Sequence, residues 1–168
     1  MLKLNFGKNK ITTGSVHTFL ITYYFDDGTF GIDMSPHLKQ TIEEFGEDVI
    51  AASTPARSDL FFFDESKPLV DERSFKLFHR TVCRLIYCTC RGRKDLQTLI
   101  SFLSKRRLAC NEHDYGKLWR LVHYTHGTMD AEDIIGMKDL GRMVTFVDAS
   151  CAVHANMRSH TGAAIHSA

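Results

Sequence analysis

Ser74-Phe75-Lys76-Leu77-Phe78-His79-Arg80-Thr81-Val82-Cys83-Arg84-Leu85-Ile86-Tyr87-Cys88-Thr89 repeats its apolar side chains at helical spacing. Phe75, Phe78, Val82, Leu85 and Thr89 fall on one stripe, which predicts an amphipathic helix beginning after Ser74. Downstream, Leu96, Leu99, Ile100 and Leu103 mark a second helix. A third opens at Asn111, a good N-cap with Asp114 three residues on, and ends at Gly127-Thr128. Tyr115, Leu118, Trp119 and Val122 form its apolar face, and Trp119 is expected in the core. Upstream, Ser35 suits an N-cap and Pro36 the first helical position. Leu38, Ile42 and Phe45 then recur at helical spacing before Gly46, a C-terminal glycine.

Both ends read differently. Residues 2–34 carry strand composition. Val16-His17-Thr18-Phe19-Leu20-Ile21-Thr22-Tyr23-Tyr24-Phe25 is β-branched and aromatic, Asp26-Asp27-Gly28 supplies a turn, and Thr29-Phe30-Gly31-Ile32 returns as the second strand of a hairpin. Near the other end, Met143-Val144-Thr145-Phe146-Val147 reads as a strand running into Asp148. A loop from about Val153 to His160 follows, then a short last segment from Thr161. Residues 47–73 are acidic and hold Pro55 and Pro68. They read as a long connection lying on the body, because Leu60-Phe61-Phe62-Phe63 needs cover. The expected class is α+β: an N-terminal hairpin, a helical middle and a C-terminal strand pair.

The chain has 168 residues, 43% of them hydrophobic and 24% charged, which suits one folded domain, or two small pieces of a larger one, and argues against general disorder. No stretch approaches the roughly 18 uncharged apolar residues of a membrane span. Met1 to Lys8 lacks the apolar block of a secretory signal. Five cysteines, an odd number, argue against a disulfide framework and for a reducing, cytoplasmic setting, with the nucleus left open.

The formal net charge of +1 hides a division. Asp26 to Glu72 holds twelve acidic and three basic side chains, and Lys76 to Arg107 nine basic and one acidic. Arg80, Arg84, Arg91, Arg93, Lys94, Lys105, Arg106 and Arg107 surround the first two helices of the middle region. They suit either phosphate contact or the solvated face of ordinary amphipathic helices.

Other constellations are weaker. Tyr24-Phe25-Asp26-Asp27 imitates the metal-binding hairpin of polymerases, but no acid precedes Asp26 to complete a site, so a turn is expected. His79, Cys83 and Cys90 lie near one helical face, yet their spacing matches no common zinc site. His113, His123 and His126 read as surface residues of the third helix.

Taken in order, these segments resemble the polymerase–ribonuclease H region of copia-type retrotransposon Pol polyproteins from about Val16 to Ala168. The matching pieces are Val16-His17-Thr18-Phe19-Leu20 with Ile32-Asp33-Met34; Ser53-Thr54-Pro55-Ala56; Phe78-His79-Arg80 with Leu85-Ile86-Tyr87; Arg93-Lys94-Asp95; Lys117-Leu118-Trp119-Arg120 through Tyr124-Thr125-His126-Gly127-Thr128; and Val147-Asp148-Ala149-Ser150 with Arg158-Ser159-His160-Thr161-Gly162. The family usually has Gly at Ile21, Pro at Lys94 and Leu at Thr125.

The resemblance implies residues 1–46 as the end of a polymerase palm, with Phe19, Leu20 and Ile21 in a primer-grip-like strand. It implies residues 47–73 as an acidic connection, 74–141 as a thumb- and connection-like region, and 142–168 as the start of a ribonuclease H-like sheet. Asp148 is then the first metal ligand of the ribonuclease site, and the catalytic pair of the polymerase lies before residue 1. So the chain is expected to be inactive alone and to need no cofactor, whereas the parent would use Mg²⁺ to copy RNA and to hydrolyse RNA–DNA hybrid. Its expected partners are RNA–DNA hybrid or DNA, bound weakly and without sequence preference through Arg91, Arg93, Lys94, Lys105, Arg106 and Arg107, and the rest of a polyprotein. No membrane is expected. The alternatives are a small non-specific nucleic-acid-binding module and an inert remnant.

Overall fold

The computed structural model describes residues 16–17, 20–26, 29–46, 48–136, 143–151 and 159–167. Among these, mixed α and β structure is organised as four helices and two small antiparallel sheets, with no closed barrel. The elements are β1 (Val16–His17), β2 (Leu20–Tyr24), β3 (Phe30–Asp33), α1 (Ser35–Phe45), α2 (Glu72–Thr89), a 3₁₀ turn (Lys94–Leu96), α3 (Gln97–Lys105), α4 (Glu112–Gly127), β4 (Asp133–Ile135), β5 (Met143–Ser150) and β6 (His160–Ser167).

The helices form where apolar periodicity and caps agree. α2 begins two residues before Ser74, because Asp71 is the better cap: its carboxylate accepts from the backbone N–H groups of Arg73 and Ser74. At α1, Ser35 is already helical and Met34 takes the cap position. Gly46 ends α1 with φ 74°, a left-handed conformation that favours glycine. α4 carries the full capping box: Asn111 Oδ1 accepts from Asp114 N–H at 3.0 Å, and the Asp114 carboxylate accepts from Asn111 N–H at 3.3 Å.

The four helices enclose one core. Leu38 and Phe45 of α1 meet Phe78, Val82 and Leu85 of α2, with Leu99, Phe102 and Leu103 of α3 and Leu118, Leu121 and Val122 of α4 completing it. Phe61 and Phe63, from the segment between α1 and α2, cover Phe102 with ring centroids 6.0 and 5.2 Å away. Phe62 turns outward, its ring edge-on to His113. Backbone pairing also clips the starts of α2 and α4 together, through Val70 N–H to Cys110 O and Glu112 N–H to Pro68 O.

The expected N-terminal hairpin is β2–β3, in register Tyr24 with Phe30 and closed by Phe25 N–H to Thr29 O at 2.9 Å. Asp26 is at the turn; Asp27 and Gly28 lie outside the described residues, as do Thr18 and Phe19. Leu20 and Ile21 stand in β2, with Ile21 opposite Val16 and Asp33. A strand not anticipated, β4, returns after α4 and pairs with β3, Ile135 opposite Phe30.

β5 and β6 pair over their full eight residues, from Met143 with Ser167 to Ser150 with His160. β5 therefore continues through Asp148, which stands opposite Gly162 rather than ending the strand. No helix among the described residues is long and apolar enough to cross a membrane.

Candidate nucleic-acid interface

The basic side chains of residues 76–107 do not form one surface. Arg93 departs furthest from the expected phosphate contact. Its side chain is 1% exposed and its donors are spent inside the protein. Nε and Nη2 form a fork on the Asp95 carboxylate at 3.0 and 2.8 Å. Nη1 donates to Thr128 O at 2.9 Å and Nη2 to Thr128 Oγ1 at 2.7 Å. A planar guanidinium suits this geometry because its N–H groups diverge in one plane.

Other cations are also engaged. Lys94 pairs with Asp133 at 2.8 Å, tying the 3₁₀ turn to β4. Arg106 donates to the buried Asp114 carboxylate at 2.9 Å and lies 4.8 Å from the Phe63 ring centroid. Arg80 and Arg84 face Glu44 of α1 at 3.6 and 2.6 Å, so part of the acidic stretch neutralises part of the basic one. Lys76 pairs with Glu72.

Four of the expected phosphate contacts stay exposed; Lys94 stands beside Asp133, whereas Arg91, Lys105 and Arg107 have no carboxylate within 4 Å among the described residues. Arg91 stacks its guanidinium 3.7 Å above the Tyr87 ring, whose neighbour His37 has its pKa lowered by burial. Lys105 is the last residue of α3 and Arg107 lies two residues past it. A nine-residue helix spans about 13 Å, so these cations touch separate phosphates or none. Arg93 and Arg106 are corrected to structural roles, and Lys94 pairs with Asp133 at the surface with its side chain 63% exposed: each found a carboxylate partner in the fold that charge counting could not see.

The Asp95 carboxyl reports on this arrangement. Burial raises its pKa, but the Arg93 fork and charge, with the Tyr124 hydroxyl 3.1 Å away, outweigh it and leave it below the ordinary carboxylate value. Lower in the folded state than in the unfolded chain, it stabilises the fold above about pH 4, and that contribution is lost as pH falls through the folded value. Asp95→Asn is therefore expected to flatten the acid limb of the stability–pH curve, measured by urea unfolding between neutral and acidic pH. An unchanged limb would show that Asp95 contributes nothing there.

The remaining candidates scatter. Asp148 is exposed on β5. Among the described residues, no three His, Cys, Asp or Glu side chains gather in a group fit for a metal ion. Cys83 Sγ lies 3.9 Å from His79 Nε2 on the exposed face of α2, and Cys90 is exposed. Burial pushes the Cys88 and Cys110 thiols up to about 12, which keeps them protonated and inert.

The surface reading of the α4 histidines holds for His126 alone. His123 is buried, with Nδ1 within 3.0 Å of Ile50 N and 2.6 Å of Ile50 O, and His113 is partly buried against Asp59 at 3.4 Å. Trp119 is 40% exposed, not core, and its indole lies against His123 with centroids 3.6 Å apart. Arg120 beside it donates to Thr54 Oγ1 at 2.6 Å. The chain matches no family model, no curated protein and no solved structure.

Proposed function

We propose that this chain is a segment of a copia-type retrotransposon Pol polyprotein. It reaches from the end of the reverse transcriptase into the start of its ribonuclease H domain, and is without catalysis by itself. The observation that carries the reading is the contact between segments that the resemblance names separately along the sequence. Arg93 and Asp95, of the joint between two helices, are bonded to Tyr124 and Thr128, of the helix end that follows 35 residues later. Arg120 of the same helix holds Thr54, from the Thr-Pro-Ala segment. An order of short motifs gains weight when those motifs bind one another. The β5–β6 hairpin, with Asp148 on its first strand, fits the opening of a ribonuclease H-like sheet.

The reading frame flanking the gene tests this directly. A Tyr-x-Asp-Asp segment is expected upstream in frame, with the further carboxylates of a ribonuclease H domain downstream. A frame encoding neither would overturn it.

Nucleic acid, in this reading, meets Arg91, Lys105 and Arg107. Binding of an RNA–DNA hybrid should then be weak, with a log–log salt slope no steeper than about −3, since each phosphate contact contributes about 0.9. Replacing Lys105 and Arg107 together should flatten the slope by up to about 2. A slope near the six contacts counted from the sequence would mean that Arg93, Lys94 and Arg106 leave their carboxylates. No binding at low salt would favour an inert remnant.

A further inference from the structure

A cleft of about 310 Å³ opens between the segment around Pro55–Leu60 and the outer face of α4. That size is at the lower end for small-molecule sites. Leu60 and Leu99 give it apolar lining, and Trp119 lines it as well. His123 braces the indole, yet the side chain keeps 40% of its surface exposed.

Gly116 also lines the cleft, from the middle of α4. Glycine is among the poorest residues for a helix interior, so its presence there calls for a reason. Close packing is not that reason, because beyond its chain neighbours and the backbone of its own helix a Cβ at Gly116 would meet nothing within 4 Å among the described residues. Nor is a positive φ, since Gly116 is helical. The space lies beside the tryptophan, where a flat ligand would need it.

The polar lining is mainly cationic. Arg57, Lys117 and Arg120 line the cleft. Arg120 spends Nη2 on Thr54 Oγ1 and leaves its buried Nε without an acceptor among the described residues. Lys117 uses two donors on the carbonyls of Leu60 and Phe62 and brings a positive charge to the wall. Two acids also line it, Asp59 and Glu112. Asp59 faces His113 at 3.4 Å, and Glu112 lies in the first turn of α4, away from Trp119 and Arg120. An anionic group is therefore favoured at the arginines and disfavoured at the α4 start. Trp119 and Arg120 also border an adjoining open groove under Ile50–Ser53, which gives a longer ligand a way out.

We infer that this cleft takes a nucleoside monophosphate unit, its base against Trp119 over Gly116 and its phosphate at Arg57 and Arg120. The choice of a nucleotide over other planar anions rests on the retrotransposon reading above. The unit is either a free nucleotide or one residue of a single strand, because base–aromatic stacking serves both.

The chain holds one tryptophan, so its own fluorescence reports the site. Titration with AMP is expected to quench Trp119 saturably, and adenosine, lacking the phosphate, to bind about tenfold more weakly. Arg120→Gln should remove most of that difference. Gly116→Leu is the sharper variant: it improves the helix and should raise Tm, while its side chain fills the cleft and abolishes quenching by AMP. A ten-residue oligo(A) that saturates at tenfold lower concentration than AMP would assign the site to a strand; equal affinity would assign it to the free nucleotide.

No quenching by millimolar AMP or by the oligonucleotide, or quenching retained in Gly116→Leu, would overturn the inference. Hybrid binding through Lys105 and Arg107, and the flanking frame, are measured without the cleft, so failure of the cleft is distinguishable from failure of the reading on which its ligand rests.

Discussion

Arg93→Ala should cost this fold about 3 kcal/mol, and Arg93→Lys nearly as much. Removing one partner of a buried ion pair costs about 3–5 kcal/mol, since the other charge is left in a poor solvent. Here the arginine side chain is 1% exposed and the Asp95 side chain 38%. Water recovers part of the carboxylate's solvation, which places the expectation at the low end. The Thr128 carbonyl and hydroxyl lose their donors at the same time. Lysine restores the charge but has no planar fork to reach Asp95 and Thr128 together. For a chain of this length Tm should fall by about 6–12 °C. Adding Asp95→Ala to Arg93→Ala should cost little more, because the two changes remove one interaction. A loss under about 1 kcal/mol for Arg93→Ala would show that the buried fork offsets only its own desolvation.

The same side chain shows where the sequence was legible and where it was not. Charge is written in the letters, but partners are not. Arg93 has Asp95 two residues away, which is visible, and Thr128 a whole helix pair away, which is not. Lys94 found Asp133 only because β4 returns to pair with β3, and a three-residue strand has no periodicity to announce it. The helices were readable because 3.6-residue spacing and capping chemistry are local, as the Asn111–Asp114 box demonstrates. Trp119 is the instructive miss. Leu118 and Trp119 are neighbours, about 100° apart around the helix, so both cannot point to the centre of one core. Leu118, Leu121, Val122 and Thr125 form the buried seam, and Trp119 falls at its margin. The cleft was invisible for a different reason. Its lining comes from residues 55–60, α3 and α4, brought together by tertiary packing alone.

Phe102→Ala should be the other costly change, and Trp119→Ala a mild one, the reverse of the order that residue size suggests. Phe102 is 1% exposed. Phe61 meets it edge-on at 6.0 Å, Phe63 lies at 5.2 Å, and the Lys117 ammonium stands 4.7 Å from its ring centroid. Truncating a buried phenylalanine costs about 3–5 kcal/mol through lost transfer energy and the cavity left behind. Here the void also undercuts the segment that Phe61 and Phe63 anchor, so relaxation into it would loosen residues 60–63 and one wall of the cleft. Against a total stability of about 5–15 kcal/mol, that loss should be plain in urea unfolding followed by far-UV circular dichroism. Trp119 already has 40% of its surface in water and packs against His123, so its removal should cost about 1–2 kcal/mol. If Trp119→Ala proved the costlier of the two, the indole would belong to the core after all, and a stacking role for it in the cleft would lose its basis.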